Sequence, residues 1–268
     1  IPYFSCMCYD VAAHTLSQIK YAKHRHGDAS DTTSLQEVLS TLMPTLPKAY
    51  HVSGFAHPRL LSYTQGSSDK DQLSVEGLEW GLIPFWVKDG VQAAQIANNT
   101  LNARVETLLE KPSFRAAARY RRCLIYVDGF FEHQHRKGKR FPFFIRQKES
   151  EVMCLAGVYE DWTDQLTGEI KRTCAIITTK GHGEMVSIHN NPKLPESRMP
   201  LILSRESQEE WLAAENQGSV LEKQFSYLAN AVKDVSLLAH EVRPIRGKHA
   251  SANNEEAWKP VPMQSSLF

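Results

Sequence analysis

No stretch of this chain approaches the roughly 20 apolar residues that a membrane-spanning helix needs, because charge breaks every long apolar run within a few positions. Ile1 to Tyr9 lacks the basic segment and apolar core of a secretory signal. A soluble, cytoplasmic protein is expected, held at the nucleoid if the source is bacterial. Cysteine is scarce: there are 5, an odd number, and Cys123, Cys154 and Cys174 sit in apolar or β-type runs where a free thiol serves as a small core residue. Cys6 and Cys8 have no second pair at zinc-ligand spacing, and His24, His26, His133 and His135 have no matching cysteine set, which argues against a metal site. Charge of one sign is also missing. A net charge of +1 argues neither for nor against nucleic acid, since binding depends on how charge is clustered. No repeat or low-complexity segment appears, and proline and glycine are too dispersed to mark a linker. With 268 residues, 42% of them hydrophobic, the chain has enough apolar material for one large domain.

The elements that are present suggest an α+β mixture. An amphipathic stretch runs from Ala12 to Lys23, and Ser34 stands as a helix cap before Leu35 to Leu39, with Pro44 and Pro47 as the stop. Gln65 to Gln72 reads as a polar loop before the aromatic run Leu78 to Trp86. Cys123 to Val127 reads as a strand, Phe130 to Gln134 and Phe141 to Arg146 as a hairpin around Arg136–Lys139, and Val152 to Val158 and Thr173 to Thr179 as a second pair. Ser207 and Glu210 have capping-box spacing ahead of Trp211 and Leu212.

Four separated patches carry chemistry: Met7-Cys8, Asn102-Ala-Arg-Val-Glu-Thr107, Asp128-Gly-Phe-Phe-Glu132 and Ser187-Ile-His189. Together they supply a thiol, an amide, a guanidinium, a carboxylate and an imidazole. Removing everything before Cys8 leaves a 1,2-aminothiol, whose amine, with an ordinary pKa of about 7.7–8.0, is partly neutral near pH 7 and forms imines with aldehydes. The adjacent thiol then closes a thiazolidine. Glu132, near a strand end, can exchange a proton or orient an amine, although on its own segment a water-facing hairpin carboxylate is the simpler reading. His189 titrates near neutrality and suits acid or base work, although most of the 11 histidines must be surface or structural. Lys111, Arg115, Arg119 and Arg122 would form a basic stripe if the segment from Pro112 to Arg121 is helical. With Arg104, Arg136, Lys137, Lys139 and Arg140 as further cations and Trp80, Phe85 and Trp86 as aromatics, the stripe suits a single nucleic-acid strand; a solvated helix face and an aromatic core account for it equally well.

With these residues in hand, the chain resembles the SOS-response-associated peptidase family, the SRAP domain. The resemblance covers nearly the whole chain and rests on Met7-Cys8, Trp80-Gly-Leu-Ile-Pro-Phe-Trp86, the Asn102 to Thr107 segment, the Asp128 to Glu132 segment, Ile188-His189, Arg198-Met-Pro200 and Val261-Pro262. Asp10 stands where the family commonly has arginine, and His133 where it has tryptophan. The resemblance implies a β-rich, barrel-like core of mainly antiparallel strands with peripheral helices, residues 1–7 forming an extension or propeptide-like segment before a domain at 8–268. It implies a monomeric sensor of abasic sites in single-stranded DNA that needs no metal or organic cofactor. Cys8 would be both the self-processing nucleophile and the crosslinking residue, Asn102 would hold the opened sugar, and Glu132 would assist removal of the preceding peptide. His189 would shuttle a proton, while Arg104, Arg198, Trp80 and Trp86 would contact DNA. Two other classes use the same residues. A conventional cysteine hydrolase would set Cys8 against an external amide or ester with His189 as base, and a non-covalent single-strand-binding module would need only the cations and aromatics.

Overall fold

The computed structural model describes residues 9–14, 40–42, 44, 48–65, 73–150, 152–213, 218–247, 250 and 253–261. Five strands, β1 (Asp10–His14), β2 (Lys48–Ser53), β7 (Gly129–Arg136), β8 (Lys139–Gln147) and β12 (Leu237–Glu241), make an antiparallel sheet in the order β12-β8-β7-β1-β2. A second sheet is built from β3 (Arg59–Gln65), β4 (Leu73–Trp80), β6 (Arg122–Val127), β9 (Met153–Thr163) and β10 (Ile170–Lys180). Its order is β10-β4-β3-β6-β9, and β9 pairs again with β10, so the five strands close into a barrel. Closure removes the sheet edges. Two short strands, β5 (Asn102–Arg104) and β11 (Arg198–Pro200), add to the end of β10. Pairing is antiparallel except where β10 meets β4 and β5. The helices α1 (Gly90–Ala97), α2 (Arg115–Tyr120), α3 (Glu184–Ile188), α4 (Arg205–Ala213) and α5 (Gly218–Ala231) accompany the strands. None is long and apolar enough to cross a membrane, among the described residues.

The α+β, barrel-centred expectation therefore holds, and local chemistry explains much of it. β6 is buried at every position, as a strand covered on both faces must be, which is why Cys123 to Val127 reads as an unbroken apolar run. Gly157 lets β9 lie close to it, because a Cβ there would stand 2.6 Å from Ile125 Cδ1 and 2.8 Å from Cys123 Sγ. The β7–β8 hairpin turns through Lys137 (φ 48°) and Gly138 (φ 76°), both left-handed, the turn whose twist matches the flanking strands. Trp211 of α4 plugs the barrel wall, its Nε1 donating to the carbonyls of Cys123 (3.1 Å) and Gly157 (3.2 Å). One core runs from the barrel to the inner face of the first sheet, including Val11, Phe130 and Ile145. The sheet's other face carries Ala12, Phe131 and Phe144 under Trp258, which stacks on Phe144 at 5.3 Å. Cys123, Cys154 and Cys174 are buried, and burial pushes the Cys123 and Cys174 thiols up, as core thiols behave.

Several local expectations are corrected. The stretch opening at Ala12 begins as strand β1, pinned between β2 and β7, so ladder pairing wins over its helical spacing; its remainder, together with Ser34 and Leu35 to Leu39, lies outside the described residues. Helix α4 starts earlier than Ser207, which donates its backbone N–H to the cap, Ser204 Oγ, at 3.2 Å. The basic stripe is divided, because α2 ends at Tyr120 and Arg122 belongs to β6. The Arg122 guanidinium is buried and donates to the carbonyls of Trp211 (2.7 Å), Ala118 (2.8 Å) and Arg119 (3.0 Å), tying α2 to α4.

Candidate active site and nucleic-acid interface

Glu132 and His189, 57 positions apart in sequence by simple subtraction, meet where the first sheet abuts the barrel. Inside β7, Phe131 faces the outer cluster and the neighbouring positions face inward, so strand alternation turns Glu132 into the protein. Its side chain is 2% exposed, which overturns the reading of a water-facing hairpin carboxylate. Oε1 accepts the backbone N–H of His133 at 2.9 Å, and Oε2 lies 3.7 Å from His189 Nε2.

His189 caps the short helix α3 and is likewise 2% exposed. Two side chains fasten this helix to β7: Gln134 Nε2 donates to the Ser187 carbonyl (3.0 Å), and Asn190 grips the His135 backbone at both ends. Asn190 Oδ1 accepts the His135 N–H (2.7 Å) while its Nδ2 donates to the His135 carbonyl (3.1 Å). Asn190 looks in sequence like part of a helix breaker; its amide reproduces the two hydrogen bonds of a neighbouring strand. On the far side of the ring, the backbone N–H of Arg198 donates to His189 Nδ1 at 3.0 Å. An Nδ1 that accepts carries no proton, so the neutral ring bears its proton on Nε2, facing Glu132. The pair thus presents an N–H donor beside a carboxylate acceptor, both shielded from bulk water.

Asn102 and Arg104 stand on β5, opposite Ile176 and Thr178 of β10, with Asn102 buried and Arg104 partly exposed. Cys8 lies outside the described residues, which begin at Tyr9. Its neighbour two positions on, Asp10, is buried and accepts from His51 Nε2 (2.8 Å) and from Arg246 Nη2 (2.6 Å), a cation the sequence alone did not connect to it. His133, two positions along β7 from Phe131, is held down to about 4 mainly by burial and stays neutral near pH 7. Among the described residues no group of three or more His, Cys, Asp or Glu side chains is arranged to hold a metal ion.

The four expected DNA contacts divide. Trp86 is 40% exposed beside Phe85 at 57%, leaving apolar ring faces open to a base, and Arg104 is half-buried. Trp80 is 0% exposed, with Nε1 donating to the Leu101 carbonyl at 2.8 Å, so it is core and offers no stacking face. Arg198 is 1% exposed and committed to Glu106 through two hydrogen bonds (2.8 and 2.9 Å), to Glu196 (3.0 Å) and to the Thr178 carbonyl (2.9 Å). It cannot also hold a phosphate. The spacing of the motifs carries no sign of this internal use.

A barrel flanked by a sheet that carries a fastened carboxylate–imidazole pair, with a cysteine segment and an Asn-Ala-Arg strand earlier in the chain, defines a class, and the sequence profile of the SOS response associated peptidase (SRAP) family matches residues 12–245. The chain belongs to that family. Among its relatives, the abasic site processing protein YoqW of Bacillus subtilis is 42% identical over 140 residues, 52% of this chain and 57% of that protein. The abasic site processing protein HMCES of Rattus norvegicus is 28% identical over 236 residues, 77% of this chain and 63% of that protein. The chain thus spans a little over half the length of these curated relatives. A crystal structure of a protein from Bacteroides thetaiotaomicron superposes with a TM-score of 0.73 at 29% identity, over 95% of this chain and 100% of that one.

Proposed function

We propose that this protein processes abasic sites in single-stranded DNA, capturing the ring-opened sugar on Cys8 as a thiazolidine. Its relatives are named abasic site processing proteins, and the observation that carries the reading for this chain is the Arg198 N–H bond to His189 Nδ1. It leaves the neutral His189 ring as a hydrogen-bond donor at Nε2. That state suits hydrogen bonding to a departing oxygen and does not suit deprotonation of a thiol, so it favours aldehyde capture over a conventional cysteine hydrolase.

The chemistry runs in two stages. While residues 1–7 remain attached, the Cys8 nitrogen is an amide and forms no imine. The Cys8 thiol attacks the Met7 carbonyl, the amide nitrogen departs with the thiol's proton as the free α-amine, and water hydrolyses the thioester to release the preceding segment and regenerate the thiol. Glu132, an acceptor in a dry site, takes and returns the protons of this exchange. In the second stage the amine adds to the sugar aldehyde, Glu132 carries the two amine protons in turn to the carbonyl oxygen, which leaves as water while His189 Nε2–H hydrogen-bonds to it, and the thiol adds across the imine, its proton passing to the nitrogen, to close the five-membered ring. Asn102 orients the opened sugar with its amide, Arg104 meets a flanking phosphate, and Trp86 stacks on a base. Residues 1–7 act as the segment removed and 8–268 as the working domain, a monomer on its strand.

A denaturing gel tests this with protein beginning at Cys8, the same protein with one residue added before Cys8, and Cys8→Ala, each against single strands with and without an abasic site. The expected result is a heat-stable adduct from the first protein alone and only on the abasic strand. Equal adduct from Cys8→Ala refutes the proposal; retention of hydrolytic turnover by the extended protein, without adduct, returns the site to the hydrolase class.

A further inference from the structure

The contact that sets the His189 tautomer belongs to a backbone N–H, and a backbone N–H has no identity of its own. Its aim depends on where the peptide is held. Here the peptide is held from both ends: the Ser197 carbonyl accepts the Gly181 N–H (2.9 Å) and Ser197 Oγ donates to the Met185 carbonyl (2.8 Å), while the Arg198 side chain anchors the other end. Arg198 opens β11, a strand of three residues paired to β10 through Lys180, Thr179 and Thr178, too short to be placed by its ladder alone. Its guanidinium runs inward and spreads over two elements. Glu106, two positions after Arg104, receives both terminal nitrogens in a forked pair, and the Thr178 carbonyl of β10 receives a third hydrogen bond. Burial alone would raise the Glu106 carboxyl, but the Arg198 hydrogen bonds and charge outweigh it and hold Glu106 below the ordinary carboxylate value, so it is ionised at neutral pH.

We propose that Glu106 and Arg198 are positioning residues for His189: the forked pair locks the peptide whose N–H fixes the imidazole tautomer, and neither residue touches DNA. The inference rests on His189 Nε2–H acting on the departing oxygen in the site proposed above. It assigns a task to Glu106, which the motif reading left idle, and replaces a phosphate-binding task for Arg198. The fork matters as much as the charge, because two parallel N–H···O bonds fix orientation where a lysine ammonium fixes only distance.

The test reads the ring directly. With nitrogen-15 in the histidines of the full chain, His189 Nδ1 is expected to be the unprotonated nitrogen and Nε2 the protonated one; a protonated Nδ1 in the wild type overturns the proposal without any variant. In Glu106→Gln and Arg198→Lys the two nitrogen signals should move toward tautomer averaging. Single-turnover adduct formation by the processed forms should slow roughly three- to tenfold, the worth of one orienting hydrogen bond, with a changed pH profile and unchanged affinity and salt dependence for intact single strands. Wild-type nitrogen signals in both variants overturn the proposal, as does a loss of affinity with a smaller salt slope, which would make Arg198 a phosphate contact. If the wild type forms no adduct, the functional reading has failed, and the nitrogen spectra still decide the positioning role.

Discussion

Replacing Arg122 by methionine separates the structural cations of this protein from those that can meet a strand. Methionine keeps the aliphatic stem and removes the guanidinium, which makes three hydrogen bonds of 3.0 Å or less to peptide carbonyls. Bonds from a charged donor contribute roughly 1.5–3 kcal/mol each, so about 4.5–9 kcal/mol in all. Against this stands the cost of burying the charge: burial lowers the Arg122 guanidinium well below its ordinary value, to about 10, which corresponds to roughly 3 kcal/mol. The net loss is about 1.5–6 kcal/mol, or roughly 3–24 °C in melting temperature for a domain of this size. Thermal and urea unfolding of Arg122→Met measure it, with the exposed Arg115→Met as the comparison, expected within about 0.5 kcal/mol of wild type. A melting temperature for Arg122→Met within a degree or two of wild type refutes the ledger, and a reduced salt slope for strand binding refutes the division of the stripe.

Other outcomes follow from the same geometry. His133 ordinarily titrates at 6.5 and is held to about 4, so between those values the unfolded chain binds a proton that the folded one does not; stability should fall by up to roughly 3 kcal/mol as pH drops from 6.5 to 4, and His133→Gln should flatten that limb in urea titrations. Arg104→Glu should weaken single-strand binding regardless of sequence and reduce the magnitude of the log–log salt slope by about 0.7 or more; an unchanged slope makes Arg104 structural. Trp80→Ala should cost about 3–5 kcal/mol of stability, whereas Trp86→Ala should leave stability within about 0.5 kcal/mol and cost about 1–3 kcal/mol in strand affinity. The opposite assignment of the two losses would reverse the core and interface roles.

Much of this architecture is local and therefore legible before folding. The β7–β8 hairpin follows from Gly138 and the flanking alternation, the β9–β10 pair from its apolar runs and the Asp164-to-Gly168 turn, and the buried cysteines from the β-type runs that hold them. These depend on turn geometry and periodicity within a dozen residues. The family, too, is legible, because motif order and spacing survive without any knowledge of contacts. Tertiary structure alone decided which face each motif residue turns inward and what it meets there. Tryptophans 80 and 86 share one motif, yet the first ends β4 with its indole bonded to the Leu101 carbonyl while the second stands on the surface. Arg122 continues a helical spacing that the chain abandons at Tyr120. Arg198 and Glu106 are 92 positions apart, and Glu132 lies within β7 while His189 caps α3; spacing cannot encode such meetings, because they arise only when β10 carries β5 and β11 together and β7 receives α3. Whether an arginine grips a phosphate or a buried carboxylate is a matter of which partner the folded chain brings within about 3 Å, and that is a property of the packed molecule.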